Sequence, residues 1–182
     1  MRFIVLMGPK HSGKTSAGKA LASLLSCGFV DLDELIAQKN GKSPRALYGE
    51  GPEIFRKAEA EALADILDSK MPENTPFFVI AAGGGLVDNP GALSVMRRFQ
   101  ATTVFLDVPA QVAWERIRAE EELPPFLKTE NPEETHRALH ERRSAAYRRL
   151  ASLTIKADGK STEEIAREVR DGLSAAGALH AH

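Results

Sequence analysis

Short apolar runs alternate along this chain with longer stretches in which apolar residues recur at helical spacing. The runs at residues 2–7, 28–32, 77–82, 102–106 and 152–156 read as buried strands. Between them, residues 16–25 repeat apolar positions with helical period. Residues 53–68 do the same through Ile54, Ala58, Leu63, Ile66 and Leu67. Residues 133–150 predict a basic helix carrying Arg137, Arg142, Arg143, Arg148 and Arg149. Helix starts are marked at Ser43-Pro44, Asn89-Pro90 and Asn131-Pro132, each a capping residue followed by proline at the first helical position. Asn131 with Glu134 and Ser161 with Glu164 have the spacing of capping boxes. Strands alternating with helices predict an α/β protein with a parallel sheet. Residues 119–131 interrupt the pattern with Glu120-Glu121-Glu122 and Pro124-Pro125, and read as an exposed, mobile excursion.

The 182 residues fit one domain, 1–182, and 43% hydrophobic content is enough for a sizeable core. A net charge of −1 gives no reason to expect a nucleic-acid or membrane surface. The short apolar run at the N-terminus is too brief for a signal peptide and is needed as a strand. No run approaches membrane-spanning length. Cys27 is the single cysteine, which excludes an internal disulfide and suits a reducing, cytoplasmic setting. It is expected to pack as a small core residue near the end of the first helix. His136 and His140 are four residues apart, a spacing that can hold zinc, but no further ligands accompany them. They are expected on the surface, with His180 and His182 in a C-terminal tail. Trp114 is expected to pack against its own helix.

Chemistry enters at Gly8-Pro9-Lys10-His11-Ser12-Gly13-Lys14-Thr15, which fits G-x-x-x-x-G-K-[ST] between a predicted strand and a predicted helix. That context allows backbone N–H groups to wrap anionic oxygens at a helix N-terminus. Lys14 would reach the terminal phosphates of a nucleotide and Thr15 would place its hydroxyl on Mg²⁺. The excursion at 119–131 would then serve as a lid. The second strand ends in Asp31-Leu32-Asp33, whose carboxylates share a face while the pleat lasts. One could serve Mg²⁺ and the other an accepting hydroxyl; Asp33 could equally cap the next helix. Arg56 and Glu59 share a helix face. They make either a surface ion pair or a guanidinium fork held by Glu59 toward a substrate carboxylate. The third strand runs into Gly83-Gly84-Gly85, where absent side chains let backbone approach a ligand. No N-K-x-D follows, and no D-x-x-G follows the third strand, which argues against a GTPase.

The phosphate loop, the strand-end D-x-D, Phe55-Arg56-Lys57-Ala58-Glu59, the three glycines and Arg143-Ser144-Ala145-Ala146-Tyr147 occur in one order over nearly the whole chain. In that order and approximate spacing they resemble the shikimate kinase family. The resemblance implies a three-layer α/β/α P-loop kinase of nucleoside-monophosphate-kinase type, with a five-stranded parallel sheet and a mobile lid. It implies transfer of the ATP γ-phosphate to the 3-hydroxyl of shikimate, in aromatic amino acid biosynthesis, by a cytoplasmic monomer. ATP would be bound by Gly8, Gly13, Lys14, Thr15, Ser16 and Arg116, the last near the position of an adenine-stacking arginine. Mg²⁺ would be held by Thr15 and Asp31. Asp33 would orient the hydroxyl and act as base, with Lys14 the other catalytic residue. Shikimate would be held by Asp33, Arg56, Gly83, Gly84, Gly85 and Arg143.

The chain departs from the family pattern at the lid. An arginine expected there falls on Leu123 or Pro124, leaving Lys128 or Arg118 as candidate replacements, and the three consecutive glutamates would repel a nucleotide. His11 replaces a glycine usual in the phosphate loop and is expected to point away from the site. Ala145-Ala146 replaces the usual Pro-Leu. These departures keep open a binding protein with weak or no turnover, or a kinase for another small hydroxylated acid.

Overall fold

Each predicted strand forms. The computed structural model describes residues 2–68 and 76–179; His180 and His182 lie outside them. The strands are β1 (Arg2–Met7), β2 (Gly28–Asp31), β3 (Phe77–Ala81), β4 (Thr102–Asp107) and β5 (Leu153–Lys156). All pair in parallel, in the order β2-β3-β1-β4-β5. β1 is central, and its side chains divide between two cores. Phe3, Val5 and Met7 enter one, while Ile4 and Leu6 enter the other. A strand buried on both faces reads as an unbroken apolar run, which is why the signal was strong.

The helices cover both faces. α1 (Lys14–Leu24) and α8 (Thr162–Ala175) pack on the Ile4 side, where Leu21, Ala166 and Val169 are buried. On the other side lie α2 (Leu32–Asn40), α3 (Pro44–Glu50), α4 (Pro52–Asp68), α5 (Pro90–Arg98) and α7 (Pro132–Leu150). These bury Leu32, Ile36, Leu47, Leu63, Ala92 and Tyr147. α6 (Ala110–Arg118) follows β4 and leads into the excursion. The result is the three-layer α/β/α arrangement expected.

Three of the four predicted caps form. Ser43 Oγ accepts from Ala46 N, Asn89 Oδ1 accepts from Ala92 N, and Ser161 with Glu164 makes a reciprocal capping box. Asn131 differs. Its side chain makes no cap bond, and its backbone carbonyl accepts instead from the Thr135 hydroxyl at 2.9 Å. Within α4, Ile54 is exposed although helical spacing suggested burial, because the core begins one turn later. Cys27 is half-buried against the α1 side of the core. No helix among the described residues is long and apolar enough to cross a membrane.

Candidate active site

β1 delivers the chain into the phosphate loop at the carboxyl edge of the sheet, where open α/β sheets bind ligands. Gly13 precedes α1 in a left-handed conformation, φ 88°, which glycine adopts without steric cost. It supplies no capping side chain, so the first-turn N–H groups of α1 are left free of a side-chain acceptor and can bind an anion. Lys14 folds back over the loop, donating to Pro9 O at 2.7 Å and Ser12 Oγ at 3.3 Å. Burial pulls its ammonium down to about 8, against the opposing pull of Asp33 and Asp31. His11 stands at φ 59°, where the usual glycine would be unstrained.

Thr15 Oγ1 donates to Asp31 Oδ2 at 2.6 Å, which brings together the two residues expected at Mg²⁺. A hydroxyl and a carboxylate beside a phosphate loop are the hard oxygen donors that ion takes, its remaining positions being filled by phosphate and water. The donor set therefore fits. The expectation for the D-x-D pair needs correction. The pleat ends at Asp31, so the two carboxylates do not share a strand face. Asp31, not Asp33, caps α2, with Oδ1 accepting from the N–H groups of Asp33 and Glu34. Asp33 is freed to point inward. Its Oδ1 is buried with no hydrogen-bond partner, and burial, with the Asp31 charge, pushes its proton affinity up. Lys14 and Lys10 oppose that shift.

Across from Asp33, the three glycines form a wall that is tight at Gly83 and Gly84 and looser at Gly85, where a Cβ would meet the end of the Arg143 guanidinium at 3.4 Å. A Cβ at Gly83 would stand 3.0 Å from Asp33 Oδ1 and 3.1 Å from Glu59 Oε1. At Gly84 it would stand 3.0 Å from Lys10 N. The Gly84 carbonyl accepts from Tyr147 Oη at 3.0 Å and from an Arg143 guanidinium nitrogen at 3.2 Å. Arg143 and Tyr147, one turn apart on α7, thus grip the same carbonyl.

Neither expectation for Arg56 and Glu59 holds as stated. Glu59 is buried and makes no ion pair with Arg56; its Oε2 accepts from Asn89 Nδ2 at 2.9 Å. The same amide donates to the Arg56 carbonyl at 2.7 Å, fixing α4 against the start of α5. Glu59 Oε1 has no partner, and burial pushes this carboxyl up to about 7. Arg56 itself is exposed on the rim of a cavity of about 250 Å³, shared with Glu59, Gly85, Phe126, Arg142 and Arg143.

Asp88 is a residue that the sequence did not single out. It accepts from Arg142 at 2.6 and 3.0 Å and from Arg143 Nε at 2.8 Å. Burial would push its carboxyl up, but the two guanidinium groups hold it below the usual range. Arg143 is therefore positioned by a carboxylate, a carbonyl and the Phe126 ring, whose centroid is 5.5 Å from its Cζ. The only sequence signal was the position of Asp88 just ahead of the Asn89 cap.

The excursion at 119–131 is docked through its middle, where Leu123 to Leu127 are partly or fully buried, while Ala119, Glu121, Glu122 and residues 128–131 are exposed as expected. A 3₁₀ turn at Pro125–Leu127 buries Leu127 against Trp114 and Ile117, with Leu123 and Phe126 packed around them. Trp114 thus packs its helix, as expected, and the lid as well. Two of the three glutamates have local partners. Glu120 accepts from Lys10 Nζ at 2.5 and 2.6 Å and contacts His11 Nε2 at 2.5 Å. Glu122 pairs with Arg45 of α3, which also donates to the Glu122 and Leu123 carbonyls. His11 thus faces the lid instead of pointing away. Arg116 donates to the His11 carbonyl at 2.8 Å. His136 and His140 are also buried, contrary to the surface expectation, with ring centroids 5.7 Å apart and Trp114 beside His136. Among the described residues no cluster of three or more His, Cys, Asp or Glu could hold a metal ion.

Two larger cavities meet at this edge. One, about 510 Å³, is lined by Lys14, Thr15, Ser16, Asp31 and Arg116. The other, about 410 Å³, is lined by Gly83, Gly84, Gly85, Arg143 and the lid residues Pro124 to Phe126. Lys10, Asp33 and Gly84 line both.

Comparison with known proteins agrees with this geometry. The shikimate kinase family model matches residues 10–174. The chain is 34% identical to a shikimate kinase of Marinomonas sp. over 172 residues, covering 93% of this chain and 91% of that one. It is 36% identical to that of Aquifex aeolicus over 167 residues, covering 91% and 92%. Among solved structures, the shikimate kinase of Acinetobacter baumannii in complex with shikimate superposes with a TM-score of 0.84 at 28% identity, over 99% of this chain and 96% of that one. A sugar kinase from Janibacter sp. shares the fold at 18% identity, with a TM-score of 0.63 over 100% of this chain and 99% of that one.

Proposed function

This chain belongs to the shikimate kinase family, and from that premise we propose how its own residues carry the ATP-dependent phosphorylation of shikimate. ATP lies in the cavity of Lys14, Thr15, Ser16 and Arg116, with its phosphates against the first turn of α1. Shikimate lies in the adjoining space, its carboxylate toward Arg56 and Arg143 and its ring against Gly83, Gly84 and Gly85. The observation that carries this reading is that Asp33 lines both cavities and presents an unpartnered buried oxygen there.

Asp33 accepts the hydrogen bond of the 3-hydroxyl and aims its oxygen at the γ-phosphorus. As the new P–O bond forms, the bond from the γ-phosphorus to the β,γ-bridging oxygen breaks, and that electron pair leaves on ADP. The hydroxyl proton passes to Asp33 and then to water. Lys14 balances charge on the phosphates throughout. Thr15 and Asp31 would hold Mg²⁺ delivered with the nucleotide; that ion supplies further charge neutralisation when bound. Opening of residues 119–131 admits the substrates, and closure excludes water. The reading takes the whole chain as one domain, acting as a cytoplasmic monomer without nucleic-acid or membrane partners.

Asp33→Asn tests the assignment. The variant should keep shikimate affinity within a few-fold and lose about 10²–10⁴ in kcat. A kcat equal to the parent would remove Asp33 from the chemistry.

A further inference from the structure

Phosphoryl transfer places charge on the equatorial oxygens of the γ-phosphoryl group, and one lysine behind the phosphates leaves the acceptor-facing side uncompensated. Residues 119–131 contain no arginine, and their single lysine, Lys128, is exposed, lines neither larger cavity and lies 3.8 Å from Glu122. Arg118 is exposed and also lines neither. Arg116 and Arg143 each line one of the two cavities, so neither stands where they meet.

We propose that Lys10, inside the phosphate loop, is the compensating cation: its ammonium contacts the γ-phosphate, and lid residue Glu120 holds it until nucleotide arrives. The proposal rests on the kinase reading above. Three observations support it. Lys10 lines both larger cavities together with Asp33 and Gly84, which places the residue where donor and acceptor meet. Its backbone is fixed there, because its amide nitrogen lies against Gly84 so closely that a Cβ on Gly84 would stand 3.0 Å away. Its ammonium has one carboxylate partner, Glu120, at 2.5 and 2.6 Å, and the side chain remains 42% exposed. An exposed pair of this kind contributes little. A γ-phosphate carries more charge than one carboxylate, so it displaces Glu120. The charge of Lys10 already reaches Asp33, where it opposes the upward push of burial on that carboxyl.

The exchange also explains the acidic lid. Glu120 does not stand over the nucleotide as a bare charge. It occupies Lys10 and His11 together, and those hydrogen bonds hold its carboxyl below the usual range although burial pushes the other way.

The test is Lys10→Met and Lys10→Arg beside Lys128→Ala, each measured for shikimate-dependent kcat and for equilibrium binding of a non-hydrolysable ATP analogue and of ADP. Lys10→Met should lower kcat about 100-fold or more. It should weaken the ATP analogue about 10-fold and leave ADP within two-fold. Lys10→Arg should retain most of the rate, and Lys128→Ala all of it. Unchanged kcat and unchanged ATP-to-ADP preference in Lys10→Met would overturn the proposal, as would a loss in Lys128→Ala of the size expected for Lys10. Absence of shikimate turnover in the parent would count against the kinase reading alone, since the ATP-to-ADP preference decides whether Lys10 touches the γ-phosphate without any turnover.

Discussion

Alanine at Gly83 is the sharpest probe of the acceptor site. Gly83 is not among the positive-φ residues, so its backbone accepts alanine. What the site does not accept is the methyl, which would lie 3.0 Å from Asp33 Oδ1 and 3.1 Å from Glu59 Oε1. Ordinary contacts settle nearer 3.5 Å, so each oxygen must retreat by about half an ångström. A displacement of about 1 Å in a reacting group costs on the order of 100-fold in rate. Half of that predicts a kcat loss of about 10-fold if the cost scales evenly with displacement. Overpacking adds a stability cost of about 1–3 kcal/mol. Gly85→Ala is milder, because its methyl meets the end of the Arg143 guanidinium at 3.4 Å, which can yield. It should raise KM for shikimate a few-fold and spare kcat. Gly49→Ala, whose methyl meets nothing within 4 Å, should do neither. Steady-state kinetics and thermal melts on the three variants give the order directly. A Gly83→Ala enzyme with parental kcat, or a Gly49→Ala loss as large, would refute the placement of Asp33 against this wall.

Two further predictions concern charge. Arg56→Ala should weaken shikimate binding by about 1.5–3 kcal/mol, roughly 10- to 150-fold in Kd by calorimetry, with ATP affinity unchanged; an unaltered shikimate Kd would remove Arg56 from the site. Burial lowers the proton affinity of both His136 and His140, with His140 and Arg143 adding to the effect at His136 and Arg148 at His140, while Glu133, Asp107, Glu141 and the Val108 backbone oppose it. The folded protein thus holds these rings neutral while the unfolded chain protonates them, so their stabilisation is present above the ordinary histidine pKa and is lost as pH falls below it. His140→Gln should flatten the decline of melting temperature between pH 7.5 and 5.5, and an identical decline in parent and variant would contradict this.

The sequence exposed the sheet almost completely because the inner residues of β1, β3 and β4 are buried on both faces and nearly all apolar, Thr103 being the buried polar exception. Caps and the phosphate loop were legible because they are local: Ser43, Asn89 and Ser161 act within three residues of themselves. Most of what was not legible has one physical origin, contact between residues far apart in the chain. Glu59 reads from the sequence as a partner of Arg56, on the surface or behind a substrate-binding fork, since nothing nearby reveals the Asn89 amide thirty residues on. Lys10 occupies an unspecified position of the loop motif, and nothing near it in the sequence reveals Glu120, 110 residues away, on its ammonium. Asp88 lies beside a recognised cap, but its role depends on two arginines of α7. The histidines at 136 and 140 had no local signal of burial, because what packs beside them is Trp114 of α6, more than twenty residues earlier. The D-x-D pair failed differently: the strand stopped one residue sooner than its apolar run, which moved the cap to Asp31 and turned Asp33 inward.

Whether Asp33 and its neighbours join ATP chemistry to shikimate is read by measuring ADP release from Mg-ATP with and without shikimate, with the product identified by mass and the phosphate position by NMR. ADP formation should depend on shikimate and match shikimate 3-phosphate one to one. ADP release indifferent to shikimate, or no turnover at protein concentrations where nucleotide binding is demonstrated, would contradict it.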